Sequence, residues 1–339
     1  MSPPAVTVLL PAYNAQQWLR EAVDSMLRQT MKGFELLVVD DGSTDATARI
    51  LQSYSDKRLH VVTHQTNQGL IASLNRGIEH ATGEFVARMD ADDISHPRRL
   101  ELQLNYLRAH PEVGVCGTWF HVRRGIRRTT VRIPCDHEAI SARLFFRSPF
   151  GHPTVMMRKA LFQREGLFYD PLANHAEDFD LWVRARSRTR FANLPRALLD
   201  YRVHAGQVSS RHLQPQSEAA SRVRLKQLAM LLPRASTSQA DLHLRVCDGH
   251  LFHSALELSS ARTWLDTLQE ANRKAHVFTD EAFGDALAHA WSHCCLRADV
   301  APGRLIAAHL SRDYSGLSAE RWRERLHVAA RALLPRPAG

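Results

Sequence analysis

The chain has 339 residues, 44% of them hydrophobic and 23% charged, with a formal net charge of +9. That length can bury a sizeable core and form two domains, or one large domain with an appendage. No stretch approaches the roughly 18 to 20 consecutive apolar residues of a membrane-spanning helix, and the start at Met1–Ala5 shows neither a charged segment nor an apolar export signal.

Five cysteines (Cys116, Cys135, Cys247, Cys294, Cys295) are odd in number and unpatterned, which suits reduced thiols in a cytoplasmic protein. The basic balance suits anionic substrates or an anionic membrane surface. No basic motif interleaved with aromatics is present, so no nucleic-acid partner is expected.

The first 120 residues alternate short apolar runs with helical periodicity. Val6–Leu10 reads as a strand. Asn14 can cap a helix whose apolar positions are Trp18, Leu19, Ala22, Val23, Met26 and Leu27. Phe34–Val39 is the next strand, followed by a helix over about 44–54. Leu59–Thr63 is a third strand, a helix spans about 70–81, and residues 84–89 form a fourth strand. This alternation predicts βαβ units, a Rossmann-like, mostly parallel sheet with helices on both faces, and ligand binding at the carboxyl ends of the strands. Three strand ends carry polar clusters that would meet in one cleft: Pro11–Asn14, Asp40–Ser43 and Asp90–Asp93.

Asp90, Asp92 and Asp93 are costly neighbours, because like charges this close raise one another's pKa. A divalent cation with hard oxygen ligands, Mg²⁺ or Mn²⁺, relieves the conflict. A turn and cap for the helix beyond Pro97 uses the same residue types, and in that role Asp93 suffices. Asp40–Asp45 has the same ambiguity. A turn with an N-cap explains Gly42 and Ser43, whereas a carboxylate at the end of a Val-rich strand can also accept a nucleobase imide N–H. No Gly-rich dinucleotide fingerprint and no Walker loop follow the first strand.

Strand-like runs at Val113–Val122, Val155–Met157 and Ala197–Val203 flank further helices. Glu177, Asp178 and Asp180 open a helix carrying Phe179, Leu181, Trp182 and Ala185. Acidic residues there complement the helix dipole, and a carboxylate near a cleft can also act as general base. His204 follows a strand, where it is either structural or a further metal ligand. Beyond about 212 the pattern is helical, with a soft boundary in Ser209–Pro215. Ser318–Leu334 places Trp322, Leu326, Ala329, Ala330 and Leu333 on one stripe among arginines, which suits packing on its own domain or an anionic lipid surface. His250 and His253 near Cys247, and His289 and His293 before Cys294–Cys295, lack the paired spacing of a structural zinc site.

Pro11–Asn14, Asp40–Asp45, Asn67–Gly69 with Leu74–Gly77, Ala81–Glu84, Asp90–Asp93, Pro97–Leu100, Gly151–Thr154, Glu177–Asp178 and Tyr201–His204 occur in one order. That series resembles the bacterial family 2 glycosyltransferases of GT-A fold, over about residues 5–210. The resemblance implies a catalytic domain over 1–211 and a helical region over 212–339 available for acceptor, membrane or oligomer contact. It implies that Pro11, Ala12 and Tyr13 line base and ribose, that Asp41 contacts the base, and that Asn75, Asp90 and Ala91 belong to the nucleotide site. Asp92, with Asp90 and His204, would hold the metal. Asp178, next to Glu177, would be the base. The implied reaction is inverting, metal-dependent transfer of a hexosyl or N-acetylhexosaminyl group. The donor would be a nucleotide-sugar, UDP first with GDP or dTDP open, and the acceptor a hydroxyl of a cell-envelope glycan or lipid-linked molecule. The location would be cytoplasmic, with room for peripheral contact on the inner face of the membrane. Two other classes stay open: a nucleotidyltransferase, which would normally carry a Gly-rich loop after strand one, and a silent glycan-binding scaffold.

Overall fold

A computed structural model describes residues 3–204, 213–249 and 251–299. The stripe at Ser318–Leu334, His250 and most of the Ser209–Pro215 boundary lie outside the described residues. The chain divides into two compact units, Met1–Ile140 with Ser148–Ala220 and Ser141–Arg147 with Ser221–Gly339.

The first unit is built on one nine-stranded sheet. Its elements in chain order are β1 (Val6–Ala12), α1 (Leu19–Leu27), β2 (Phe34–Asp40), α2 (Thr47–Gln52), β3 (Leu59–Thr63), α3 (Leu70–His80), β4 (Phe85–Arg88), β5 (Ile94–Ser95), α4 (Arg99–Ala109), β6 (Val113–Arg124), β7 (Arg127–Val131), α5 (His137–Leu144), β8 (Met156–Arg158), α6 (Ala160–Glu165), α7 (Glu177–Ala185) and β9 (Arg190–Arg202). The order across the sheet is β3-β2-β1-β4-β8-β6-β9-β5, with β7 pairing outside β6. β1 to β4 are parallel neighbours. β8 runs antiparallel to both β4 and β6, so β6 and its parallel partner β9 point the same way as β1 and β4. The C-terminal ends of β1, β2, β4, β6 and β9 therefore share one edge.

β1 reads as a continuous apolar run because both its faces are covered. Val6, Val8 and Leu10 are fully buried against Leu19, Val23 and Met26 of α1 and Phe85 of β4, and each such side chain contributes about 2 kcal/mol of burial. Pro11 is tolerated in this central strand for a topological reason. Leu9 turns its carbonyl to β4, where Met89 N–H meets it, and Pro11 faces the same side. The paired run with β4 stops at Leu9↔Arg88, so Pro11's missing N–H forfeits no ladder bond. On the other flank α3 approaches β1 so closely that a Cβ on Gly77 would sit 2.0 Å from Leu9 Cδ1.

The described part of the second unit is helical: α8 (Leu213–Leu231, which begins in the first unit), α9 (Thr237–Asp248), α10 (Ala255–Ala275) and α11 (Asp280–Arg297). Ser236 and Gln239 form a capping box on α9, and Ser254 caps α10. Phe145, Phe146, Trp264, Phe283 and Trp291 centre its core. Among the described residues no helix is long and apolar enough to cross a membrane.

Two local expectations are corrected. Asn14 does not cap α1, which starts at Leu19. It adopts a left-handed conformation, φ 47°, and is spent on a neighbouring loop. Asp93 is not a cap for α4, whose first residue is Arg99. It is fully buried, because the chain turns inward at β5 and delivers it to Arg202 of β9.

Candidate active site

Strand ends build the site. Asp41 N–H donates to Ala12 O (2.8 Å) and His64 N–H to Asp40 O (2.9 Å), extending the β1–β2–β3 ladder past the strands. This carries Asp41 and His64 together: His64 Nδ1 lies 2.6 Å from Asp41 Oδ1. An ionised carboxylate only accepts, so Nδ1 carries the proton. Gln68 N–H donates to the same Asp41 oxygen (2.9 Å) and Gly69 N–H to the other (2.8 Å). Asp41 is thus a buried, fixed acceptor.

The loop after β1 is fastened to the loop after β2. Asn14 N–H donates to Ser43 Oγ (2.9 Å), Thr44 N–H donates to Asn14 Oδ1 (2.9 Å), and Ala15 N–H donates to Thr47 Oγ1 (2.8 Å). Pro11 and Ala12 stay in the strand while Tyr13 is 49% exposed at its end, free to face a ligand.

At the end of β4 the ligand atoms of Asp90, Asp92 and Asp93 lie within 4.8 Å of one another. Among the described residues this is the one convergent group of three metal-competent side chains. Asp93 accepts Arg202 N–H on Oδ1 (2.9 Å), while its buried Oδ2 has no hydrogen-bond partner among the described residues. Burial, then repulsion from Asp90 and Asp92, pushes the Asp93 carboxyl well above the usual range. Burial likewise pushes Asp90 up to about 6, opposed by Arg88 and reinforced by Asp92. Three crowded carboxylates, one with an orphaned buried oxygen, fit a hard divalent cation. His204 Nε2 lies 2.9 Å from Asp92 Oδ2. Ala91 sits between the carboxylates.

Arginines hold this cluster. Arg88 is ion-paired to Asp90. Arg99 is fully buried, bonded to Gln103 Oε1 (3.1 Å) and to Arg88 O; burial and the nearby Arg88 lower it to about 9. Arg202 donates through Nε to Asp92 O (2.9 Å) and through Nη2 to Glu21 (2.7 Å), with its guanidinium 4.0 Å from the Trp18 ring centre.

The second acidic pair opens α7. Glu177 is buried and rises to about 7, first from burial, then from Asp178. Asp178 is half-buried; it accepts Ser148 Oγ–H (3.3 Å) and Phe179 N–H (2.7 Å), and burial raises its carboxyl. The two acidic clusters sense each other: Asp90 raises Glu177, and Arg88 lowers both Glu177 and Asp178. Beside them His152 Nε2 meets Tyr169 Oη at 2.8 Å, and burial holds His152 neutral, well below its ordinary pKa. Asn75 spends its amide on the Tyr169 backbone, donating to O (2.9 Å) and accepting from N–H (3.0 Å). That places Asn75 as a staple beneath the site.

His64, Arg88 and Tyr169 fall outside the motifs read from the sequence, and Arg99, His152 and Arg202 lie inside Pro97–Leu100, Gly151–Thr154 and Tyr201–His204 with no role of their own assigned. Arg88 left a signal, a charge in the middle of an apolar strand. His64 and Tyr169 left none, since nothing local marks their partners. Among the described histidines of the second unit, His243 is buried and pushed down to about 3, and His293 is half-buried and pushed down to about 4, both by burial, while His253 and His276 are exposed. Cys247 and Cys294 are raised to about 12 by burial, and among the described residues no cysteine forms a disulfide.

The profile described as "Glycosyl transferase family 2" matches residues 7–166. An uncharacterised glycosyltransferase of Haemophilus influenzae is 32% identical over 68% of this chain and 75% of its own length. The putative glycosyltransferase EpsE of Bacillus subtilis is 38% identical over 54% of this chain and 67% of its own. Among solved structures, S. aureus TarS 1-349 in complex with UDP-GlcNAc superposes with a TM-score of 0.56 at 21% identity, covering 96% of this chain and 90% of that one. The mannosyltransferase PcManGT of Pyrobaculum calidifontis, in complex with GDP-Man and Mn²⁺, gives a TM-score of 0.52 at 20% identity, covering 93% of this chain and 88% of that one.

Proposed function

The chain belongs to glycosyl transferase family 2 and has the GT-A fold, and from that premise we propose an inverting, metal-dependent transfer of a hexosyl or N-acetylhexosaminyl group from a nucleotide-sugar, a UDP-sugar first, to a hydroxyl of an envelope glycan or lipid-linked acceptor. The observation that carries the proposal is the meeting of Asp90–Asp92–Asp93 with Glu177–Asp178 around Arg88 at one sheet edge. Transfer is assigned to residues 1–211, with 212–339 left for acceptor, membrane or oligomer contact.

Asp41 suits the base. A carboxylate offers about four acceptor positions. His64, Gln68 N–H and Gly69 N–H take three, leaving one for an imide N–H such as that of uracil. Pro11, Ala12 and Tyr13 border the same strand end and would line the base and ribose. Asp92, with Asp90 and His204, would hold a divalent cation. Bound there, the metal supplies charge neutralisation to a leaving diphosphate. The nucleotide-sugars and Mn²⁺ bound by the structural neighbours support this assignment.

Asp178 is the proposed base. Ser148 and Phe179 N–H fix its carboxylate, and its raised pKa makes it a better acceptor for the proton of an attacking hydroxyl. Glu177 is more deeply buried, and the charge of Asp178 raises its carboxyl further. One carboxylate facing the acceptor, with no nucleophile assigned beneath the sugar, suits single displacement.

The test is a panel of nucleotide-sugars, assayed for hydrolysis and transfer with and without Mn²⁺. Metal-dependent turnover should select one donor. Asp178→Asn should keep donor binding and lose transfer, and Asp92→Ala should lose metal-dependent donor binding. Near-normal turnover by Asp178→Asn would remove it as the base, and metal-independent turnover would remove the metal assignment.

A further inference from the structure

We propose that the β6–β7 hairpin is a docking arm that seats the catalytic edge of the first unit on an anionic phospholipid surface. β6 continues to Arg124, β7 resumes at Arg127, and Gly125–Ile126 forms the tip, with Arg123↔Arg128 and Arg124↔Arg127 paired across the ladder. Residues 113–132 contain five arginines (Arg123, Arg124, Arg127, Arg128, Arg132) and no acidic residue. Ile126 at the apex is fully exposed, 103%.

A single exposed aliphatic side chain is ordinary on a protein surface; its setting is what matters here. Arg128 is satisfied by Asp200 and Arg132 lies over Trp119. Arg124 and Arg127 are exposed, and neither is held by a carboxylate among the described residues. They flank Ile126 directly. An apolar apex between two unneutralised guanidinium groups matches the boundary of an anionic bilayer, where the side chain enters the acyl edge and the charges stay with the phosphates. The tip carries no aromatic ring, so stacking on bases does not favour nucleic acid.

Placement makes the contact useful. β6 lies beside β9 with Arg123 opposite Arg202, and Val203 N–H donates to Arg123 O (2.9 Å). Arg202 in turn holds Asp92 and Asp93. The arm thus leaves the sheet at the edge that carries the acidic cluster, one strand away from it. A membrane bound there would face the site, as an acceptor anchored in lipid requires. The proposal does not depend on the transfer chemistry, because lipid binding is measured without donor.

The experiment is co-sedimentation of the full chain with vesicles of phosphatidylcholine alone or mixed with roughly one third phosphatidylglycerol. Wild type should bind the anionic vesicles and leave the neutral ones. Each arginine near the surface contributes about fivefold in partitioning, so Arg124→Ser/Arg127→Ser should lose about 25-fold. Arg124→Lys/Arg127→Lys should keep most of the binding, and Ile126→Ser should weaken it further at raised salt. All these exposed-tip variants should retain wild-type melting and nucleotide-sugar hydrolysis. Equal binding of the Ser/Ser variant and wild type, binding to neutral vesicles, or hairpin-dependent binding of soluble polyphosphate without vesicle binding would each overturn the proposal.

Discussion

Arg88 is ion-paired with the carboxylate of Asp90 two residues further on, and it is the positive group that both acidic clusters share. It lowers Asp90, Asp93, Glu177 and Asp178 alike. Removing one member of a buried pair leaves the other charge uncompensated, at a cost of roughly 3 to 5 kcal/mol. Arg88→Met should therefore destabilise the first unit by about 3 kcal/mol in urea unfolding. Adding Asp90→Asn to it should recover at least half, since the orphaned charge goes too. An Arg88→Met protein within about 0.5 kcal/mol of wild type would contradict the shared-cation account.

Glu177 predicts a pH dependence. Its carboxyl rises from an ordinary 4.5 to about 7, mainly by burial. Between these values the folded state holds a proton that the unfolded chain releases. Its contribution to stability is therefore fully present below about pH 4.5 and is lost as pH rises through about 7. The shift corresponds to up to about 3 kcal/mol. Glu177→Gln should flatten that decline, so that the variant gains on wild type between about pH 5 and 8. Parallel melting curves for the two proteins across this range would contradict the assignment.

Much of this was legible in the sequence because it was local. The β1-to-β4 alternation, the α3 and α7 spans, and the acidic clusters at the strand ends each follow from periodicity or a short motif. What was not legible depends on pairing across long separations. Asp93 looks like a turn residue until Arg202, 109 positions on, claims its oxygen. Asn14 has the residue type of a helix cap, yet its amide is used by Thr44. Asn75 looks polar and available, and is consumed by Tyr169 across 94 residues. The antiparallel β8 inserted between β4 and β6 is likewise invisible to periodicity, which reports burial and not neighbour order.

Gly42 should be irreplaceable on two counts. Its φ of +70° lies in the left-handed region, and an added Cβ would sit 2.7 Å from the Thr66 carbonyl carbon and 2.9 Å from Asn67 N. Both are backbone atoms on the segment that delivers His64 and Gly69 to Asp41. Gly42→Ala should cost about 3 kcal/mol and weaken nucleotide binding. Gly33→Ala, where a Cβ meets nothing within 4 Å, should change stability by less than about 0.5 kcal/mol. Thermal melts of the two variants and UDP calorimetry give the comparison; equal melting points would remove the steric account of Gly42.

Substitution of His64 separates orientation from chemistry. Its Nδ1–H fixes one Asp41 oxygen, while two backbone amides hold the rest. His64→Ala leaves Asp41 in place but takes away one donor and some packing, at about 1 to 3 kcal/mol. If Asp41 serves the nucleobase, the variant should raise the donor KM about tenfold with kcat nearly unchanged, because base contacts bind ground and transition states alike. His64→Asn, whose amide can still donate, should recover part of the loss. A fall in kcat at constant KM would place His64 with the reacting groups and count against Asp41 as the base-binding residue.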